Sequence, residues 1–407
     1  MQQLTDQERL KPWMSVALFA VGVVYLITAG SFMQSRWRTV GLVLSELGFL
    51  TLAVLFCVIT KVKIKEVFPI KKITVRDFFG VVFMFIGGFL LNMTCMGISM
   101  TVLSVLGKTE VFDEVVGLQE FLFGNQPSFT IIVLTAAVMP AICEEAFMRG
   151  AILSGFRGLK KDWVIILLVG LFFGILHLSP LRFLNTACLG AILAYIMVKK
   201  NNILLPMLLH FLNNVISSIS GFVGSSRETD ISSVLDTINP VMLLGSFLIL
   251  TFTAPIMLVI GAILLDKGAN KTKSIVIAAV ISGAMLIGGI GISLFSAAGS
   301  MMNGSLLNWN YTFTVTEDTL SAKNLAEAGI EVEEERTYMV VVSSVATGAE
   351  ISFTIQDENG EEVLSRSAKN MLVVSENIKL SPGHYDLFFE GGEDMVGKAF
   401  SYQVIVK

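Results

Sequence analysis

The 407-residue chain is 54% hydrophobic and 15% charged, with a mean hydropathy of +0.73 and a formal net charge of −4. Average soluble domains carry about 25% charged residues, so one large soluble core is excluded and a polytopic membrane protein is indicated. The charge is also divided: residues 1–298 hold 22 basic and 16 acidic side chains, whereas residues 299–407 hold 7 and 17. Two domains follow, an apolar one over 1–298 and a soluble one over 299–407.

Windows of about 20 apolar residues give nine expected spans, at 14–33, 40–60, 78–106, 129–150, 163–180, 183–198, 203–223, 240–265 and 275–297. The first follows Arg9 and Lys11, lacks a small-x-small cleavage site and is closely followed by a second, so it reads as a retained span. The third is long enough to tilt or break at Gly87-Gly88. Loop 61–77 carries Lys61, Lys63, Lys65, Lys71, Lys72 and Arg76, and Lys or Arg recurs after the fourth, sixth and eighth spans. Loop 107–127 is acidic, with Glu110, Asp113, Glu114 and Glu120 against Lys108. The positive-inside rule then places the N-terminus in the cytoplasm and the C-terminal domain outside, in a multi-pass plasma-membrane protein. Cys57, Cys95, Cys143 and Cys188 all fall in spans and read as small buried hydrophobes. Glu46 reads as an interfacial acid near the outer end of span two, and Asn92 and Asn185 as helix–helix hydrogen bonds.

The fourth span contains Glu144-Glu145-x-x-x-Arg149, the fifth Phe173-x-x-x-His177, and the seventh His210-x-x-x-Asn214. Ionisable groups at membrane depth are costly and face a protein interior or a water-filled cavity. Arg149 lies one helical turn after Glu145 and can pair with it, which leaves Glu144 pointing elsewhere. His210 and Asn214 share a helical face. A carboxylate and an imidazole around one water suit general-base hydrolysis of a peptide bond. A second histidine with an asparagine can donate to the oxyanion. Alternatively, Glu144, His177 and His210 are three ligands for a catalytic divalent metal such as zinc. Counting along the helices puts His177 deeper than Glu144, so tilt or a broken helix is needed to unite them.

These three motifs, in this order over about residues 130–220, resemble the CPBP family of CAAX proteases and bacteriocin-processing enzymes, also called Abi or type II CAAX prenyl endopeptidases. The resemblance implies an intramembrane endopeptidase in which Glu144 and His177 activate water and His210 and Asn214 stabilise the oxyanion. Glu145, Arg149 and Phe173 complete the motifs. Both a metal-dependent and a metal-free mechanism are argued for the family. The expected partners are a peptide or membrane-protein substrate and the lipid bilayer, with no nucleic acid. A non-catalytic scaffold or bacteriocin-immunity protein of the same fold is the alternative, and a transporter is a third reading that lacks repeat symmetry.

After residue 299 the pattern alternates with period two. Strands are expected at 311–316, 337–344, 350–357, 371–378, 385–390 and 400–407, separated by Glu358-Asn-Gly360, Ser381-Pro-Gly383 and Gly391-Gly392. About seven strands in this length suggest an antiparallel β-sandwich, with His384 as a turn residue and an extracellular partner as the domain's expected use. The fold class is therefore an all-α membrane bundle of about nine helices plus an all-β sandwich.

Overall fold

The computed structural model describes residues 10–106, 108, 113–123, 128–225, 240–266, 268, 271–302, 306–316, 319 and 324–407. Arg9, Glu110 and Lys267, three of the charges that bear on orientation, lie outside the described residues. The chain divides into two compact units, Met1–Leu294 and Phe295–Lys407.

In the first unit, α1 (Pro12–Tyr25) passes through a π-helical turn, Leu26–Gly30, into α2 (Ser31–Thr60). The backbone leaves helical geometry at Arg38 (φ 46°, ψ −116°) and the chain folds back on itself. Tyr25 Oη donates to Ser45 O at 3.1 Å and Gln34 Nε2 to Ser45 Oγ at 2.9 Å across the resulting hairpin. The basic loop holds the short α3 (Ile64–Val67) and is pinned by Asn202, whose amide exchanges two hydrogen bonds with the backbone of Lys71.

A capping box between Thr74 and Asp77 starts α4 (Val75–Val105), which runs unbroken through Gly87-Gly88. Of the two expected outcomes, a tilt or a break, the break does not occur: Gly87 serves packing, and a Cβ there would lie 2.8 Å from the Leu258 backbone nitrogen. Leu258 belongs to α13 (Ala254–Leu265), which follows α12 (Pro240–Thr251) at a bend of 41°. Between α4 and that pair come α5 (Asp113–Phe123) and one long apolar helix whose segments are α6 (Phe129–Ile132), α7 (Met139–Glu145) and α8 (Leu153–Phe156). π-helical turns at Val133–Val138 and Ala146–Ile152 separate these segments. Pro140 has no N–H to give to the preceding turn, which favours the first widening.

Then come α9 (Asp162–Leu176), α10 (Pro180–Lys200), α11 (Leu204–Ser225) and, after α13, α14 (Lys271–Met302). α9 is shorter than the expected 163–180. Pro180 forces Ser179 into an extended conformation, Leu178 is left-handed (φ 50°), and Ser179 Oγ caps α10 by accepting from Arg182 N at 3.0 Å. His177 thus sits at the cap of α9.

Among the described residues, six helices are long and apolar enough to cross a bilayer, or seven with the bent pair as one span. The reversal at Arg38 and the fifteen-residue α9 bring the architecture to about the nine spans expected. The molecule is a multi-pass membrane protein. Its buried core runs through α1, α2, the α7–α8 segment, α9 and α10, and its largest fully buried side chain is Arg149.

The second unit is one continuous antiparallel sheet of β1 (Leu307–Thr314), β2 (Ala326–Val332), β3 (Arg336–Asp357), β4 (Glu362–Leu380), β5 (Gly383–Gly391) and β6 (Ala399–Val406). The strand order is β1-β6-β3-β5-β2, with β4 on β3. The first half of β3 pairs with β6 and the second half with β5, so one strand joins the two halves of the sheet. That continuity replaces the two separate expected strands at 337–344 and 350–357. The register shift at Ala346/Glu350, with Gly348 left-handed (φ 77°), bends the strand where it changes partner. His384 lies within β5, opposite Glu331, rather than in a turn.

Candidate active site

The first component of the site is a buried ion pair on the widened helix. Arg149 Nη1 donates to Glu145 Oε1 at 2.9 Å, and both side chains are fully buried. Burial of a charge without a partner costs several kcal/mol, so further contacts are required. Arg149 Nη2 donates to Gly190 O at 3.0 Å, and the guanidinium stacks 4.4 Å from the centre of the Phe173 ring. Gly190 is needed for this approach, since a Cβ there would lie 2.7 Å from Phe173 Cβ.

The same Glu145 oxygen holds the second component. His210 Nδ1 is 2.9 Å from Glu145 Oε1. A carboxylate only accepts, so Nδ1 carries the proton and Nε2 turns the other way, to 4.0 Å from Glu144 Oε2. That separation exceeds a direct hydrogen bond and suits one bridging water. His177 is oriented by an analogous device: its Nδ1 donates to Phe173 O at 2.9 Å, which leaves Nε2 as an acceptor. The Phe173 ring meets both imidazoles edge-on, with centroids 4.8 Å from His177 and 5.7 Å from His210. Phe173 therefore spaces the two histidines and roofs Arg149.

Glu144, His177, His210 and Asn214 all line one cavity of about 870 Å³, and Phe173 forms part of its wall. The difference in depth counted along the helices is closed by the π-helical turns beside Glu144 and by the end of α9 at His177. Glu145 and Arg149 stand behind this wall, in contact with His210 and Phe173.

Glu46, read from the sequence as interfacial, is a buried residue on the same cavity, 5% exposed, with Oε2 unpartnered. The signal for it was an unexplained acid inside an apolar span; the hairpin at Arg38, which brings α2 alongside α7, could not be seen. Asn92 and Asn185 also face the cavity. Asn92 Nδ2 donates to Asn213 Oδ1 at 3.3 Å, an interhelical bond of the expected kind. Cys57, Cys95, Cys143 and Cys188 are free thiols.

As the side chains stand, Glu144, His177 and His210 are not clustered as a set of metal ligands. Among the described residues no group of three or more His, Cys, Asp or Glu side chains is disposed to hold a metal ion. The Phe173 ring packs near-perpendicular to both imidazoles.

Residues 126–216 match the family model described as Rce1-like, the type II CAAX prenyl endopeptidase Rce1-like family. The match covers less than a quarter of the chain and spans all three motifs. No curated protein matches the chain. For this helical core the match supports the CPBP family, and with it a protease, a hydrolase in general terms.

Proposed function

We propose that this CPBP-type core is an intramembrane endopeptidase that hydrolyses a peptide bond of a membrane-associated peptide or protein. The observation that carries the reading is the convergence of Glu144, His177, His210 and Asn214, from three separate helical segments, on one cavity. In this mechanism Glu144 takes a proton from the attacking water and His177 Nε2 accepts that water's other hydrogen, which aims the oxygen lone pair at the carbonyl carbon. Asn214 donates to the carbonyl oxygen as it becomes an oxyanion. His210 Nε2 joins it when the ring is the imidazolium, for which Glu145 is the counter-ion. Glu144 then delivers its proton to the leaving amine, and the C–N bond breaks.

The apolar walls, which include Phe89, Phe121 and Phe247, suit a substrate that arrives from the bilayer. We place the protein in the plasma membrane with its N-terminus cytoplasmic and the β unit outside, on the Lys/Arg distribution of the loops. Protease added to intact cells then digests the β unit; protection in intact cells with digestion after lysis reverses the topology.

New peptide N-termini are compared in membranes holding wild-type protein or Glu144→Ala at matched expression. Termini present only with wild type support the protease and identify its substrates. Identical sets reject it in favour of a scaffold or immunity role.

A further inference from the structure

Asparagine serves an oxyanion only through its N–H end, so the function of Asn214 depends on which way its amide is turned. Asn92, Asn213 and Asn214 line the cavity side by side. Asn92 Nδ2 donates to Asn213 Oδ1 at 3.3 Å, and Asn213 Nδ2 donates to Asn214 Oδ1 at 3.2 Å. Each amide has one accepting and one donating end, so the chain has a direction. In this direction the Asn214 oxygen is engaged and its Nδ2 is left for the cavity. Reversed, the same three amides would present the Asn214 oxygen to the developing oxyanion and repel it.

The far end of the chain is open. Asn92 Oδ1 is a buried oxygen with no hydrogen-bond partner, on a residue that lines the cavity. A buried acceptor left unpaired is destabilising, and a donor that enters the cavity relieves it. The backbone N–H of a bound peptide is such a donor.

We propose that Asn92 is a positioning residue of the catalytic site: its oxygen receives an N–H of the substrate backbone, and through Asn213 this fixes Asn214 with its donor outward. The inference rests on the protease reading above. Helix α4 thereby acts on α11 through 121 residues of sequence separation, and occupancy by a peptide is coupled to the polarity of the oxyanion site. A bond that only joined α4 to α11 would affect melting and leave turnover per folded molecule unchanged.

The test uses the full chain in detergent and a quenched fluorescent peptide that carries a Glu144-dependent cleavage sequence. Asn92→Asp, ionised at alkaline pH, can only accept, so it pulls the chain into the reversed direction. The expected result is a kcat per folded molecule about 10- to 100-fold lower, with a smaller change in KM, beside a melting midpoint lowered by the added buried charge. Asn213→Leu, which cuts the relay from the other helix, is expected to give the same loss. In the Asn214→Ala background neither substitution should lower kcat further. Retention of kcat within about twofold in both variants, or losses that multiply with Asn214→Ala, overturns the relay while Glu144-dependent cleavage stands. Absence of any Glu144-dependent cleavage by wild type overturns the protease reading, and the relay with it.

Discussion

Glu145 Oε1 and His210 Nδ1 lie 2.9 Å apart across 65 residues of sequence, and the same oxygen is 2.9 Å from Arg149 Nη1. One carboxylate oxygen therefore anchors the buried cation and sets the tautomer of the histidine that faces Glu144. Removing Arg149 would strand that charge. Arg149→Ala is expected to cost about 3–5 kcal/mol, the usual penalty for breaking a buried pair, and to lower the melting midpoint in detergent far more than Lys63→Ala on the surface. Equal midpoints for the two variants would remove the structural role of Arg149.

Glu144 is attached differently. Its Oε2 is buried with no hydrogen-bond partner and stands 4.0 Å from His210 Nε2, so the fold does not hang on it. Glu144→Gln keeps the shape and removes the base. Turnover of a cleaved peptide should fall about 10²- to 10⁴-fold, the range for general-base catalysis, while the melting midpoint holds. A variant that melts normally and still cleaves at the wild-type rate would take the base assignment away from Glu144.

The parts of the site legible in the sequence were those written in helical periodicity. Glu145 with Arg149, and His210 with Asn214, are one turn apart, so a shared face follows from the 3.6-residue repeat alone. Apolar runs gave the spans, and period-two alternation gave most of the β unit; β2 escaped because Ala326-Glu-Ala-Gly-Ile-Glu-Val332 is poor in β-branched and aromatic residues. The contacts that escaped are those made between helices distant in sequence: Glu145 to His210, Arg149 to Gly190 O, and Glu46 to the cavity. No periodicity encodes those, because they depend on the reversal at Arg38, the two π-helical turns and the glycine-mediated approach of α9 and α10.

Glu46 is the clearest product of that hidden geometry. It is buried, one oxygen is unpartnered, and it shares a cavity with Glu144. A second acid in a low-dielectric cavity is a burden on stability unless something needs it. Glu46→Gln is therefore expected to leave the melting midpoint unchanged or to raise it by the equivalent of about 1 kcal/mol. A marked fall in midpoint would mean that the carboxylate has a stabilising partner in the folded protein.

His384 offers a pH-dependent test in the β unit. Its Nδ1 is 2.8 Å from Glu331 Oε1 and its Nε2 3.2 Å from Asp386 Oδ1. The hydrogen bond to Glu331, followed by that to Asp386, raises its pKa above the ordinary value of 6.5. A histidine that binds its proton more tightly when folded contributes stability that is fully present below the unfolded pKa. That contribution is lost as pH rises through the higher folded pKa. In protein with labelled histidines, the His384 resonance should titrate with a midpoint above 6.5. Glu331→Gln should move that midpoint down more than Asp386→Asn does, since Glu331 is the larger cause. The β unit of wild type should lose resistance to urea over that window, whereas His384→Ala should show no such step. A midpoint at or below 6.5 in wild type would show that the two carboxylates do not hold the imidazolium in solution.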